Sequence, residues 1–157
     1  MNTEKIWQTN SDSLKETDQL AKNLASNVVG GEVMEFKSDL GGGKTTFVKS
    51  FVDALGSSDH VSSPTFTVSK EYKTKKFNIY HFDFYRVPDP GLISDSLKEA
   101  VLDNSSICLI EWGNSVDHVL PKNRLIIKID KHPTIEEKRL FTFEYSDKTK
   151  YLLKGLI

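Results

Sequence analysis

Residues 37–47 read Lys-Ser-Asp-Leu-Gly-Gly-Gly-Lys-Thr-Thr-Phe, and no other stretch constrains the chain as much. Apolar residues of β character stand before it (Val33, Met34, Phe36), and Phe47, Val48, Phe51, Val52 and Leu55 recur at helical spacing after it. Consecutive glycines at a strand-to-helix junction cost ordering entropy that a plain connector need not incur. That cost has a purpose if Gly41, Gly42 and Gly43 let backbone N–H groups crowd around an anion. The helix N-terminus then adds its own unpaired donors and positive dipole end. Strand, glycine-rich turn and helix together predict a phosphate-binding loop for ATP or ADP. Residues Gly41 to Thr46 wrap the phosphates, Lys44 reaches the β- and γ-phosphates, and the Thr45 hydroxyl ligates Mg²⁺. The pattern G-x-x-x-x-G-K-[ST] wants glycine where this chain has Ser38. The tripeptide Gly-Lys-Thr alone arises by chance too often to decide the matter, so the flanking strand and helix patterns carry the reading.

A chain of 157 residues, 38% hydrophobic and 27% charged, is expected to form one domain spanning 1–157 with a real core. Basic residues number 21 and acidic 22, which leaves no electrostatic footprint for gripping DNA or RNA unaided. The single cysteine, Cys108, excludes an intrachain disulfide and a multi-cysteine zinc site, and fits a reducing cytoplasm. No apolar run approaches membrane-spanning length, and the N-terminus lacks the basic-then-apolar layout of a signal peptide. The cytosol is the expected location, with no membrane partner.

Periodicity supplies the remaining elements. Glu4–Thr9 reads as a short strand. Ser13-Leu-Lys-Glu16 is a capping box opening a helix whose buried face is Leu20, Ala21, Leu24, Ala25 and Val28, stopped by Gly30-Gly31. Strand Glu32–Lys37, the loop and helix Lys44–Leu55 follow, with Gly56 at the helix end. Proline keeps Ser62–Phe66 out of helix. Phe66–Tyr72 and Phe77–Tyr85 read as a hairpin around the turn Lys73–Lys76, whose lysines suit a solvated tip. Asp89-Pro90 predicts an N-cap with proline at the first helical position, opening a helix to about Leu102. Ile107–Ile110 is a strand buried on both faces, Pro121 breaks the next segment, and Leu125–Ile129 and Leu140–Tyr145 complete the sheet. The predicted fold class is α/β, with a mixed, mostly parallel sheet of the P-loop NTPase kind, an antiparallel hairpin and flanking helices.

A phosphate loop needs a carboxylate to help hold magnesium, usually at the end of a buried strand. Glu111, directly after Ile107–Ile110, is the candidate metal ligand. Asp83 in IYHFDFY is the second carboxylate, either contacting the metal through water or orienting the attacking water. Thr65 in SSPTF suits a segment sensing the γ-phosphate, with a plain turn threonine as the alternative. His81 is expected to be a half-buried structural histidine, with a catalytic base as the alternative. Trp112 is either a core aromatic or a shaper of the site, Arg86 a partner for a carboxylate or a phosphate, and Cys108 an inert core residue.

SDLGGGKTTF, VSSPTFTVSKEY, IYHFDFYRVPDP and ICLIEWGNSVDHVLP, in that order and spacing, resemble the TsaE family, formerly called YjeE, from about Ser13 to Ile129. The family is the bacterial ATPase of tRNA threonylcarbamoyladenosine biosynthesis. Its loop usually reads GDLGAGKTT, so Ser38 and Gly42 here replace glycine and alanine, Gly42 as a permissive change. The resemblance implies that Thr45 and Glu111 hold Mg²⁺, that Asp83 fills the other acidic position and that Thr65 lies on a switch-like segment. It matches Trp112 to the family's tryptophan beside the metal-binding glutamate, and would make Arg139 the counterpart of a basic residue near the nucleotide. It implies TsaD and TsaB as protein partners, tRNA reached only through them, and ATP hydrolysis that is slow alone. The rival readings are a small-molecule P-loop kinase, for which no arginine-rich lid is evident, and a nucleotide-dependent binding module with vestigial hydrolysis.

Overall fold

Every residue of strand β5 (Ser106–Glu111) is buried, because the strand lies in the middle of a sheet covered on both faces. A computed structural model describes residues 4–39, 41–62, 68–87 and 89–157. In chain order the other elements are β1 (Lys5–Ser11), α1 (Leu14–Ala25), β2 (Val33–Lys37), α2 (Lys44–Ala54), β3 (Ser69–Lys73), β4 (Asn78–Asp83), α3 (Leu92–Leu102), β6 (Leu125–Lys131) and β7 (Arg139–Tyr145). Two single 3₁₀ turns, Gly113–Val116 and Lys150–Leu153, complete the list. The seven strands form one sheet in the order β1-β7-β6-β2-β5-β4-β3. Its centre, β6-β2-β5-β4, is parallel, and antiparallel pairs close both edges. Five of the seven strands therefore point the same way, and the expected mixed, mostly parallel α/β sheet is what forms.

The period of two along each central strand divides its side chains between two cores. On one face, Ile107 and Leu109 of β5, Met34 and Phe36 of β2 and Ile79 of β4 pack under α1 and α2 through Leu24, Phe47, Phe51 and Val52. On the other, Cys108 and Ile110 meet Phe82, Leu97 and Ala100 beneath α3. Burying each large apolar side chain is worth about 1.5–3 kcal/mol. Cys108 is an inert member of this core, its thiol pushed up to about 12 by burial.

Helix α1 is capped as its sequence dictates. The Ser13 hydroxyl accepts from the Glu16 N–H at 3.2 Å, and the Glu16 carboxylate accepts from the Asp12 N–H at 2.6 Å. Helix α3 departs from expectation. It starts at Leu92 behind Gly91, and Asp89, in place of capping the helix, accepts from the Gly91 N–H at 3.2 Å. Proline thus sits in the approach turn, where the Pro90 carbonyl takes the Ile93 N–H, and not at the first helical position. The hairpin strand expected from Phe66 is β3 from Ser69 onward, while Phe66 and Thr67 lie outside the described residues. No helix among the described residues is long and apolar enough to cross a membrane.

Candidate nucleotide site

Parallel pairing brings the C-terminal ends of β2, β5 and β4 to one edge of the sheet, where an open α/β sheet binds its ligand. Phe36 pairs with Glu111 and Glu111 with Asp83. The alternation that buries Ile107 and Leu109 under α2 also turns Glu111 to that face, and Ile79-His81-Asp83 does the same on β4. Asp83 is 6% exposed, Glu111 4% and His81 1%.

Helix α2 begins differently from α1. Its N-cap is Gly43 at φ +102, with no side-chain cap and no acidic residue in the first turn. Its first N–H groups are thus left for another acceptor. Gly41, at φ +77, supplies the other left-handed turn of the loop. Lys44 is buried at 8% exposure, and its Nζ donates to the Ser38 carbonyl at 3.3 Å. The same Nζ lies 3.7 Å from Glu111 Oε1 and 4.9 Å from the centre of the Trp112 ring.

The cleft so formed holds about 280 Å³ and is lined by Gly41, Gly43, Lys44, Thr45, Thr46, Asp83, Glu111 and Trp112. The structure therefore gathers most of the residues named from sequence. Gly42 is not among the lining residues; its carbonyl accepts from Arg139 Nε at 2.9 Å. A Cβ on Gly42 would fall 2.1 Å from Ser38 Oγ, so that side chain would have to turn away to admit one. Thr65 lies outside the described residues. A larger hollow of about 430 Å³ between β3, β4 and α3 contains none of the loop residues, so size alone does not mark the site.

Burial pushes the Asp83 carboxyl above the usual carboxylate range, and the Glu111 charge adds to the effect. The Tyr85 N–H, donated to Asp83 Oδ1 at 2.9 Å, works the other way, as do His81 and Lys44. Glu111 Oε2 is 2.7 Å from His81 Nε2. His81 is thus fully buried and bonded to a site carboxylate, not the half-buried residue expected. The spacing His81-x-Asp83 on one strand was the available signal. Arg86 forms no ion pair among the described residues. It is exposed and lies 5.0 Å above the Tyr85 ring. Sequence reading left Arg139 loosely placed; the structure sets it at the start of β7, against the loop backbone.

The three non-glycine residues at positive φ among the described residues are Val68, Arg86 and Trp112 (φ +63, +58 and +56). Val68 accepts the Asp83 N–H, Arg86 follows Asp83 closely, and Trp112 follows Glu111. Each such conformation costs of order 1–3 kcal/mol, and such strain clusters at working sites. Chemically, the cleft sets one cation and free backbone donors opposite two carboxylates. Its metal donors are all oxygens, and no cluster of three or more His, Cys, Asp or Glu among the described residues would hold a cation unaided. That set fits Mg²⁺, which takes one or two carboxylates and completes its shell with phosphate oxygens and water.

A family model described as Threonylcarbamoyl adenosine biosynthesis protein TsaE matches residues 11–140. The chain is 38% identical over 128 residues to the tRNA threonylcarbamoyladenosine biosynthesis protein TsaE of Bacillus subtilis (strain 168), covering 82% of this chain and 80% of that one. The protein of the same name from Rickettsia prowazekii is 39% identical over 109 residues, 69% and 75% of the two chains. The one from Aquifex aeolicus is 45% identical over 103 residues, 64% and 72%. The crystal structure of Bacillus subtilis YdiB superposes with a TM-score of 0.76 at 30% identity, covering 99% of this chain and 97% of that one.

Proposed function

The chain belongs to the TsaE family of tRNA threonylcarbamoyladenosine biosynthesis, and from that premise we propose that it is the pathway's Mg²⁺-dependent ATPase. On this reading residues 1–157 act as one unit that binds and hydrolyses ATP to sustain turnover of the TsaD–TsaB transferase, without performing the transfer. The observation that carries the reading is one cleft holding a buried Lys44, an uncapped helix start and two buried carboxylates from adjacent strand ends.

Each group has a stated task. The N–H groups of Gly41 and of Gly43 to Thr46 receive the phosphate oxygens, and Lys44 exchanges its Ser38 carbonyl for the β- and γ-phosphates. Thr45 and Glu111 would hold Mg²⁺, which when bound would supply positive charge beside the phosphates. Asp83, its carboxyl raised by burial, orients the attacking water and accepts its proton. Trp112 walls the cleft and keeps Lys44 in place through its ring face.

The test is nucleotide binding and hydrolysis by the purified chain and by Lys44→Ala. Removing the one cationic side chain that lines the cleft among the described residues should lower turnover by about 10²–10³ and weaken ATP binding. Unchanged turnover in the variant would overturn the reading.

A further inference from the structure

The two carboxylate oxygens of Glu111 have different neighbours. Its Oε1 faces Lys44 at 3.7 Å, too far for a firm hydrogen bond, while Oε2 meets His81 Nε2 at 2.7 Å. His81 is 1% exposed, so no bulk water competes for that contact. A carboxylate only accepts, so the bond requires the proton on Nε2. In the neutral ring Nδ1 is then an acceptor, and the hydroxyl facing it is that of Tyr72, at 3.5 Å. Tyr72 is also 1% exposed, and its hydroxyl lies 3.2 Å from the Ser62 carbonyl. The ring of Tyr72 lies 6.2 Å from that of His81 and is tilted against it, so the phenol packs beside the imidazole.

Strand parity and register make this arrangement. Ser69 pairs with Phe82 and Tyr72 with Ile79, which brings the β3 tyrosine beside β4 under the same core as Ile79. His81 pairs with Leu109, two residues before Glu111, so its ring reaches the carboxylate diagonally across β4 and β5.

We propose that His81, oriented by Tyr72, is a positioning residue that fixes the Glu111 carboxylate so that its other oxygen is presented to the cleft. The proposal rests on Glu111 as a metal-binding carboxylate. Histidine and tyrosine do here what outer partners of metal ligands do elsewhere, holding the donor in one rotamer before the cation arrives.

The experiment measures the affinity of a fluorescent ATP analogue with and without Mg²⁺, alongside thermal unfolding, in wild type, His81→Leu, His81→Gln, Tyr72→Phe and Glu111→Gln. His81→Leu should lose about 10–100-fold of the affinity that Mg²⁺ adds, with metal-free binding nearly unchanged. His81→Gln should recover most of it, because its amide N–H reaches the same oxygen, and Tyr72→Phe should lose a smaller part. If His81→Leu keeps the full Mg²⁺ gain while Glu111→Gln loses it, the positioning role is overturned and the metal reading stands. If Glu111→Gln keeps the gain as well, the metal reading itself fails. Should His81→Leu not fold, Tyr72→Phe decides: a reduced Mg²⁺ gain at constant metal-free affinity supports the role. Equal weakening with and without metal across the variants overturns it, as a purely structural residue would act that way.

Discussion

At Asp83 the requirements of folding and of chemistry oppose each other. Burial is the largest influence on its carboxyl and raises it above the ordinary 3.8, with Glu111 adding repulsion. The native state therefore binds more protons than the unfolded chain between 3.8 and the raised value, and stability falls as pH climbs through that window. Above that window the ionised carboxyl costs the fold stability that the protonated form does not. Asp83→Asn keeps the Oδ1 acceptor for the Tyr85 N–H and removes the charge. The variant should melt higher than wild type at pH 7, by roughly 2–4 °C for each kcal/mol released, and lose ATP hydrolysis. The gap should close as pH falls below about 4. Calorimetry at the two pH values checks this; an Asn variant that melts lower at pH 7 contradicts it. Asp83, Glu111 and Lys44 were legible in the sequence because each sits at a strand end or in the glycine run. The partnership of His81 with Glu111 was not, because it depends on the register between β4 and β5, which neither strand encodes alone.

The glycine-rich loop is the element whose residues say least without their neighbours in space. Ser38 and Gly42 look like two independent departures from the usual loop, yet they share one space. Ser38 Oγ donates to the Asp39 carbonyl at 2.8 Å, in the volume that a side chain at 42 would take. A Cβ on residue 42 would also lie 3.1 Å from both Ser38 Cβ and the Asp39 carbonyl oxygen. Gly42→Ala should therefore weaken nucleotide binding in this chain and do so much less in a Ser38→Gly background. Contacting residues couple by roughly 0.5–3 kcal/mol, and a double-mutant cycle on ATP-analogue affinity should return a value in that range. Strictly additive effects would show that the loop rearranges freely around the new methyl group. Arg139 supports the loop from behind, across 97 positions of sequence, by taking the Gly42 carbonyl. A contact between elements so far apart leaves no periodic trace, which is why the helices and strands were readable and this brace was not. The start of α3 was misplaced for a local reason: Asp-Pro favours a turn as readily as a cap, and Gly91 at φ +50 takes the turn.

At the scale of the whole molecule, the proposed reading has a consequence in the distribution of cations. Lys44 is the one cation lining the cleft among the described residues, and no arginine lines it. Arg139 spends its guanidinium on the carbonyls of Gly42, Glu136 and Lys138, and Arg86 is exposed over Tyr85 outside it. On the proposed reading, charge developing on the transferred phosphoryl group meets Lys44 as the only protein cation beside Mg²⁺, and supplying an arginine in trans is worth about 10³–10⁵ in rate in other NTPases. The nearly even charge, 21 basic against 22 acidic residues, supplies no net positive charge for a nucleic-acid backbone. On the proposed reading, ATP hydrolysis by the isolated chain should be slow and should rise clearly when TsaD and TsaB are added together. Trp112 lines both the cleft and the neighbouring surface hollow with Tyr85 and Arg86, so Trp112→Ala should blunt the fold-stimulation beyond any change in the basal rate. Steady-state ATPase assays with and without the two proteins decide the matter. A chain that runs at full speed alone and ignores both proteins, or that binds tRNA tightly by itself at physiological salt, would require a different account of why so bare a cleft carries so little positive charge.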